Sequence, residues 1–539
     1  MNRHVLLIGL LILIAIAGAT GATYAQADDR ASKDGGTLVL ALKEPIDTLD
    51  VFVSALAEPI KVLGIVCETL LSFDQNLVPQ PHLVESWEVS EDELTVSFKL
   101  KEGIMFHDGT PLNASSVIDY LANFHIPLGF SGWQFEPVEE MVVTGEYTFD
   151  FLLKTPYPTL FTYLADPWNI IQSPAAYRKY GDRYGFDALV GTGPYIFEEW
   201  VRGEQIVLTK DPNYDHGPDY LSHEGPAYLD EIIFRVIPEA ITRVSELRFG
   251  NVDLLWTVPE TLLPEVQGDD SIDLILKPAF RVIWLGCNQA RPLMQDPQLR
   301  EALNYAIDRQ AVMDATFNGY GEHAYSVISP STTLYWEGIK DYASDILRYD
   351  ADKSRQLLDD AGWILPAGKT IREKAGVPLR LNLVTFNLTR YKIPAEVVMA
   401  MLADVGIGVD IEIYDSAAAS AKLQAGEYDI TTAGYAYTLG EVQLGSIVGT
   451  NGIPSPNYYA YSDPEIDAAL EIVSLGGLQE RLDAAVVVQK KVVDDLVVIP
   501  LLVRQDSIAA SPNVGGIEEI NRHPWWLEYV IGMELYHAE

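Results

Sequence analysis

Glu231-Ile232-Ile233-Phe234-Arg235-Val236-Ile237, closed by Pro238, leads into Ile241–Phe249, then Gly250, then Val252-Asp253-Leu254-Leu255-Trp256. The β-branched and aromatic run predicts a strand that Pro238 ends. Ile241 to Phe249 carries helical spacing and stops at Gly250, and 252–256 predicts a second strand. A strand–helix–strand succession of this kind indicates an α/β layer.

Working outward, Thr37-Leu38-Val39-Leu40-Ala41-Leu42 is a nearly continuous apolar run, as a strand buried on both faces requires. Apolar positions from Pro59 to Leu71 recur at helical spacing. Alternation then predicts half-buried strands at Trp87–Val89 and Leu94–Leu100, followed by a helix over Asn113–Phe124 with Asn113 as its N-cap. Beyond Arg281 a second α/β set appears. Val282–Leu285 reads as a strand, and Asp296-Pro297 as the cap of one long helix through Phe317. Leu379–Thr385 reads as a strand, Pro394–Val405 as a helix and Val409–Tyr414 as a strand. Two α/β units with a strand-rich insertion near 74–190 account for the chain. No internal repeat or heptad pattern occurs.

The composition narrows the function. Of 539 residues, 77 are acidic and 37 basic, giving a formal charge of −40. That balance argues against nucleic acid, since phosphate contacts need Lys or Arg, and disfavours docking on acidic lipid. A hydrophobic content of 48% suffices for buried cores. Cys67 and Cys287 lie in apolar surroundings far apart, fit no CxxC pattern and read as buried thiols. Arg3, the apolar run Val5–Ala17 and Ala25-Gln26-Ala27 follow the order of a secretory signal, so 1–27 is expected to be a cleaved signal peptide and 28–35 a leader. An uncleaved membrane anchor is the alternative.

Motifs for catalysis are missing. The nine histidines include no i,i+4 pair, and no G-x-S-x-G elbow occurs. Gly191-Thr192-Gly193-Pro194 resembles a phosphate loop superficially, but Pro194 removes an N–H that such a loop would donate. Acidic pairs such as Glu139-Glu140 read as solvated faces. Aromatic residues in Gly- and Pro-rich stretches, namely Trp133, Tyr435, Tyr437, Tyr458, Tyr459, Trp525 and Trp526, are candidates to line a ligand cleft, ordinary packing being the equal alternative.

Val78-Pro79-Gln80-Pro81-His82-Leu83-Val84-Glu85-Ser86-Trp87-Glu88-Val89-Ser90 and Phe98-Lys99-Leu100-Lys101-Glu102-Gly103-Ile104-Met105-Phe106-His107-Asp108-Gly109-Thr110-Pro111 resemble the signature of family 5 extracellular solute-binding proteins. These are the receptors of peptide and nickel importers of the ATP-binding cassette (ABC) class. The resemblance continues through Val190–Tyr195, Asn213-Tyr214, Arg300–Arg309, Asp360–Trp363 and Ile499–Leu501, and its scaffold segments look most like the nickel-binding branch. It implies a type II periplasmic-binding-protein fold with two lobes and a hinge. The first lobe would comprise 36–73, 191–281 and 498–539, the inserted domain 74–190 and the second lobe 282–497. The hinge would cross near Phe280–Ile283 and Val497–Leu501.

The resemblance also implies an exported, periplasmic or cell-surface monomer that captures a peptide, nickel or metal chelate, or another zwitterion, needs no cofactor and works with ABC permease subunits. The implied ligand-binding residues are Trp133, Tyr435, Tyr437, Glu441, Asn457 and Tyr458, with Asp166 as a further acid; no catalytic residue is implied, and metal ligands are left open. The chain departs from both branches. The acidic loop of peptide binders corresponds to Gly434-Tyr435-Ala436-Tyr437-Thr438-Leu439-Gly440-Glu441, where Glu441 is the one acid. The arginine and histidine of nickel binders have no counterpart in Leu164–Asn169 or Ile453–Asn457. An exported hydrolase, or a sensory or chaperone-like protein on the same scaffold, are the alternatives.

Overall fold

A computed structural model describes residues 33–52, 57–74, 77–129, 131–223, 225–522 and 527–538. The signal segment 1–27, most of the leader 28–35, Trp525 and Trp526 lie outside the described residues. An 11-stranded mixed sheet runs through the described chain. Its strands in chain order are β1 (Thr37–Leu42), β2 (Tyr195–Val201), β3 (Gln205–Lys210), β4 (Glu231–Val236), β5 (Leu254–Leu255), β6 (Asp273–Cys287), β7 (Gly321–His323), β8 (Arg380–Phe386), β9 (Gly408–Tyr414), β10 (Ile430–Ala433) and β11 (Val498–Ala510). The spatial order is β9-β8-β10-β6-β11-β5-β1-β4-β3-β2, with β7 also paired to β11.

The deciding stretch folds as strand, helix and strand, with the second strand shortened from 252–256 to Leu254–Leu255. β4 and β5 both pair in parallel with β1, and the Ala240–Arg248 helix carries the chain from one flank of β1 to the other. Val244 and Leu247 of that helix join Ala41, Leu255 and Ala509 in one apolar cluster. On the other face, β1 shares a continuous core with the four-stranded antiparallel sheet Val84–Val89, Thr95–Leu100, Thr148–Leu153 and Val138–Val143, which centres on Phe98, Phe149 and Phe151.

Two long antiparallel strands, β6 and β11, join the sheet's halves. Asp273–Pro278 pairs with Ala510–Gln505, and pairing resumes at Val282–Val503, so Ala279, Phe280 and Arg281 bulge opposite Arg504. Past the bulge β6 alternates strictly: Ile283, Leu285 and Cys287 enter one core, Val282 and Trp284 the other.

Four expectations need correction. The helix begun near Pro59 ends at Val66, because Glu68 turns inward to polar partners and Leu71–Phe73 forms a strand. The helix predicted as one through Phe317 is two, Pro297–Ala306 and Arg309–Phe317. Asp308 separates them by accepting the Gln310 and Ala311 amides as a new N-cap. The strand predicted at Val282–Leu285 is the end of one begun at Asp273. The helix predicted from Pro394 begins at Thr389. Cys67 and Cys287 are free and buried, and burial pushes the Cys287 thiol up to about 12. Gly191 needs its missing side chain for packing, since a Cβ there would stand 2.1 Å from the Val66 carbonyl oxygen, and Thr192 donates to Glu68. No phosphate loop is involved.

Candidate functional site

Residues 131–169 meet residues 434–481 along a seam. Among the described residues, three hydrogen bonds cross it. Thr159 Oγ1 donates to the Ser474 carbonyl at 2.6 Å, Thr438 Oγ1 to Asp166 at 3.4 Å, and Arg481 Nη1 to Thr162 Oγ1 at 3.5 Å. Leu439 and Val442 pack into the core of the 131–169 side.

Asp166 is the distinctive group here. It caps the 3-10 turn Pro167–Asn169 by accepting the Trp168 amide, and only 3% of it is exposed. Burial pushes its carboxyl up to about 6, against the Trp168 and Thr438 donors, and the nearby Glu441 adds to the rise. No basic side chain forms an ion pair with it among the described residues. Asn169 ties this turn down through Gln134 and the Tyr163 carbonyl, and accepts from His125 Nε2. That network places Trp133, half exposed at 52%, edge-on to Tyr163 at 5.8 Å.

The opposite wall is the loop after β10. Gly434 lies where a Cβ would meet the Val282 carbonyl at 2.2 Å, which lets the loop press on β6. Tyr435 packs edge-on to Trp284 and Tyr437, at 5.6 and 5.7 Å, and donates to the Pro456 carbonyl. At the loop's other margin Arg281 donates to the Tyr391 hydroxyl at 2.7 Å, and Tyr391 donates to the Gly434 carbonyl at 2.7 Å. Arg390 holds its guanidinium 5.1 Å from the Tyr391 ring centre, and its buried Nε has no hydrogen-bond partner among the described residues.

The anticipated residues therefore separate into two groups. Asp166 meets Thr438 across the seam, Trp133 packs on Tyr163 on one side, Tyr435 and Tyr437 pack on each other on the opposite side, and Tyr458 packs beside Tyr428. Glu441 and Asn457 are engaged by protein partners. Glu441 is 6% exposed, ion-paired with Arg481 at 2.8 Å and bonded to Thr333 at 2.9 Å. Asn457 is fully buried and clamps the Gly449 and Tyr461 carbonyls. Arg281 and Arg390 escaped the sequence reading, because an arginine at a strand bulge or a helix start has no local signature.

The pattern of the bacterial extracellular solute-binding proteins, family 5 Middle, matches residues 78–444. The chain belongs to this family. Its curated relatives include the oligopeptide-binding protein AppA of Bacillus subtilis, 25% identical with 85% of each chain covered. They also include the glutathione-binding protein GsiB of Escherichia coli, 30% identical over 66% of this chain and 65% of GsiB. The fold matches that of AppA solved with a nonapeptide (TM-score 0.66, 22% identity, 94% and 100% covered). It also matches Brucella suis NikA solved with Fe(III)-EDTA (TM-score 0.72, 22% identity, 89% and 96% covered). The fold is thus the α/β fold of periplasmic binding proteins, and the chain is a solute-binding receptor of an ABC importer. Family 5 receptors are extracellular or periplasmic.

Proposed function

We propose that this family 5 receptor captures a small peptide-like zwitterion, without catalysis, by closing two lobes over it. The lobes are 36–73, 191–281 and 498–539 on one side and 282–497 on the other, with 74–190 inserted. The chain is taken as an exported monomer whose hinge crosses near Phe280–Ile283 and Val497–Leu501, beside the bulge at Ala279–Arg281. Asp166 carries the reading. It is a buried carboxylate at the seam, facing Thr438, with no ion-pair partner among the described residues, and a ligand ammonium would supply the missing charge. Arg390 stands beyond the far end of the same loop as the candidate for the ligand carboxylate. Gly434 and Thr438 are separated by at most about 14 Å of extended chain, a span suited to a peptide of a few residues. Trp133, Tyr435, Tyr437 and Tyr458 supply the aromatic surface. Ligand that touches both lobes favours the closed state by its differential affinity.

The pH dependence has a definite sign. A carboxyl raised to about 6 is neutral in the closed, ligand-free protein in mild acid. Its contribution to closure is complete below the ordinary carboxyl value and is lost as pH rises through about 6. A ligand ammonium selects the ionised form. Affinity for unblocked tripeptides is therefore expected to rise about tenfold between pH 5 and pH 7.

Calorimetric titration with an unblocked tripeptide library, the same library N-acetylated, and a nickel–citrate chelate tests the reading. Acetylation and Asp166→Asn are each expected to weaken tripeptide binding at least about tenfold, and Asp166→Asn to remove the pH dependence. Equal binding of the acetylated library would overturn the ammonium assignment. Tight binding of the chelate, unchanged in Asp166→Asn, would replace the zwitterion with a metal complex.

A further inference from the structure

Away from the seam, the protein buries a second ionisable cluster. Glu68 is fully buried and accepts hydrogen bonds from five side chains on four stretches of chain. His82 Nε2 at 3.0 Å, the Tyr214 hydroxyl at 2.6 Å and the Tyr529 hydroxyl at 3.1 Å reach Oε1. His216 Nε2 at 2.9 Å and the Thr192 hydroxyl at 2.7 Å reach Oε2. Glu68 also grips the seam through its backbone. Its carbonyl accepts the Ile171 amide at 2.7 Å, in an isolated antiparallel bridge. Ile171 lies two residues past the turn that Asp166 caps. Side chain and main chain of one residue thus connect the histidines to the Asp166 segment.

We propose that Glu68, with His82 and His216, is a positioning cluster that sets the Asp166 segment against the seam and makes ligand capture depend on the acidity of the medium. The second half of this proposal rests on the reading of Asp166 as the ligand's carboxylate. A neutral hydrogen-bonded staple would hold the segment equally at every pH. This cluster differs because it holds one carboxylate between two imidazoles in unlike surroundings.

Burial opposes charge on all three groups, and the outcomes diverge. Glu68 stays ionised, held well below its usual range by His216 and His82 despite burial. Burial also works against the charge on His216, but Glu68 outweighs it and the value is raised. At His82 burial wins over Glu68, and the value is lowered. Other charged or titratable groups bear on the cluster. Lys101, which donates to the His216 carbonyl at 2.9 Å, disfavours charge on both histidines. Exposed Asp215 lies 3.7 Å from His216 Nδ1 and favours its charge. Asp219 acts on Lys101, His107 is buried against the Gly193 carbonyl, and Tyr220 lies near Glu68.

The signs follow. His216, raised, contributes below about 6.5 and its contribution is lost as pH climbs through its folded-state value. His82, lowered, contributes above about 6.5 and its contribution is lost as pH falls toward its folded-state value. The cluster holds best where His216 is charged and His82 neutral, near pH 6.5, and loosens on either side.

Amide hydrogen exchange of the ligand-free protein from pH 5 to 8.5, corrected for the intrinsic pH dependence of exchange, tests this. Protection of residues 160–171 is expected to peak near pH 6.5 and to fall on both flanks, by up to about tenfold per pH unit. His216→Gln is expected to flatten the alkaline flank and His82→Gln the acid flank. Glu68→Gln would remove both, and the histidine variants keep the test decisive should that variant not fold. Wild-type profiles in both histidine variants would overturn the proposal, as would equal changes in the distant Thr389–Asp404 helix. The exchange readout needs no ligand, so a failure of the Asp166 reading shows separately, as tripeptide binding unchanged in Asp166→Asn.

Discussion

Replacing Arg481 with methionine is expected to cost about 3–5 kcal/mol of stability, because it leaves Glu441 charged, buried and unpaired. Arg481 is 6% exposed and fastened at three points: Glu441 at 2.8 Å, the Val473 carbonyl at 2.9 Å and Thr162 at 3.5 Å. Glu441 lies close enough to Asp166 to disfavour ionisation of the Asp166 carboxyl. The double variant Arg481→Met with Glu441→Leu is expected to recover most of the loss, since removing both charges removes the desolvation cost as well. Urea unfolding of the two single variants and the double variant gives the coupling directly. A single-variant loss below about 1 kcal/mol would mean that Glu441 is solvated and free for ligand, as its place in the loop first suggested.

Trp284→Ala is expected to cost a comparable amount, about 3–5 kcal/mol. Trp284 is the largest of the fully buried side chains, and its Nε1 donates to the Tyr459 hydroxyl at 2.5 Å. Truncation would leave both a cavity and an unpaired hydroxyl. It would also remove the ring on which Tyr435 rests, so tripeptide affinity should fall together with stability. Trp284→Phe keeps most of the volume and loses the hydrogen bond, and about 1–3 kcal/mol is expected there. Equal effects of the two substitutions in urea unfolding would show that the hydrogen bond, and not the packed volume, dominates.

Much of the scaffold is local and was therefore readable. β1 and β4 carry unbroken or alternating apolar runs, and Asn113 caps its helix through a reciprocal bond with Ser116, as a short polar side chain before an apolar face suggests. Where the local pattern mixes signals, the reading shortened or merged elements. Lys277, Pro278 and Arg281 interrupt the apolar run of β6, so only its last part looked like a strand. The apolar stripe from Leu299 to Phe317 masked the cap at Asp308, which its side chain could have disclosed.

Sequence by itself determined the α/β class, the family and the absence of recognisable catalytic motifs, because each rests on periodicity or on contiguous motifs. Tertiary structure decided which polar residues find partners within the protein. Glu441 and Asn457 look available in a loop, yet Glu441 meets Arg481 and Asn457 meets carbonyls on both sides of it, and they are consumed. Asp166 and Arg390 look no different from any acid or base in so charged a chain. They stand out because folding buried the Asp166 carboxylate and the Arg390 Nε without giving the first an ion pair or the second an acceptor among the described residues. Whether a charge is satisfied depends on what long-range packing brings to it, and no short stretch of chain contains that information.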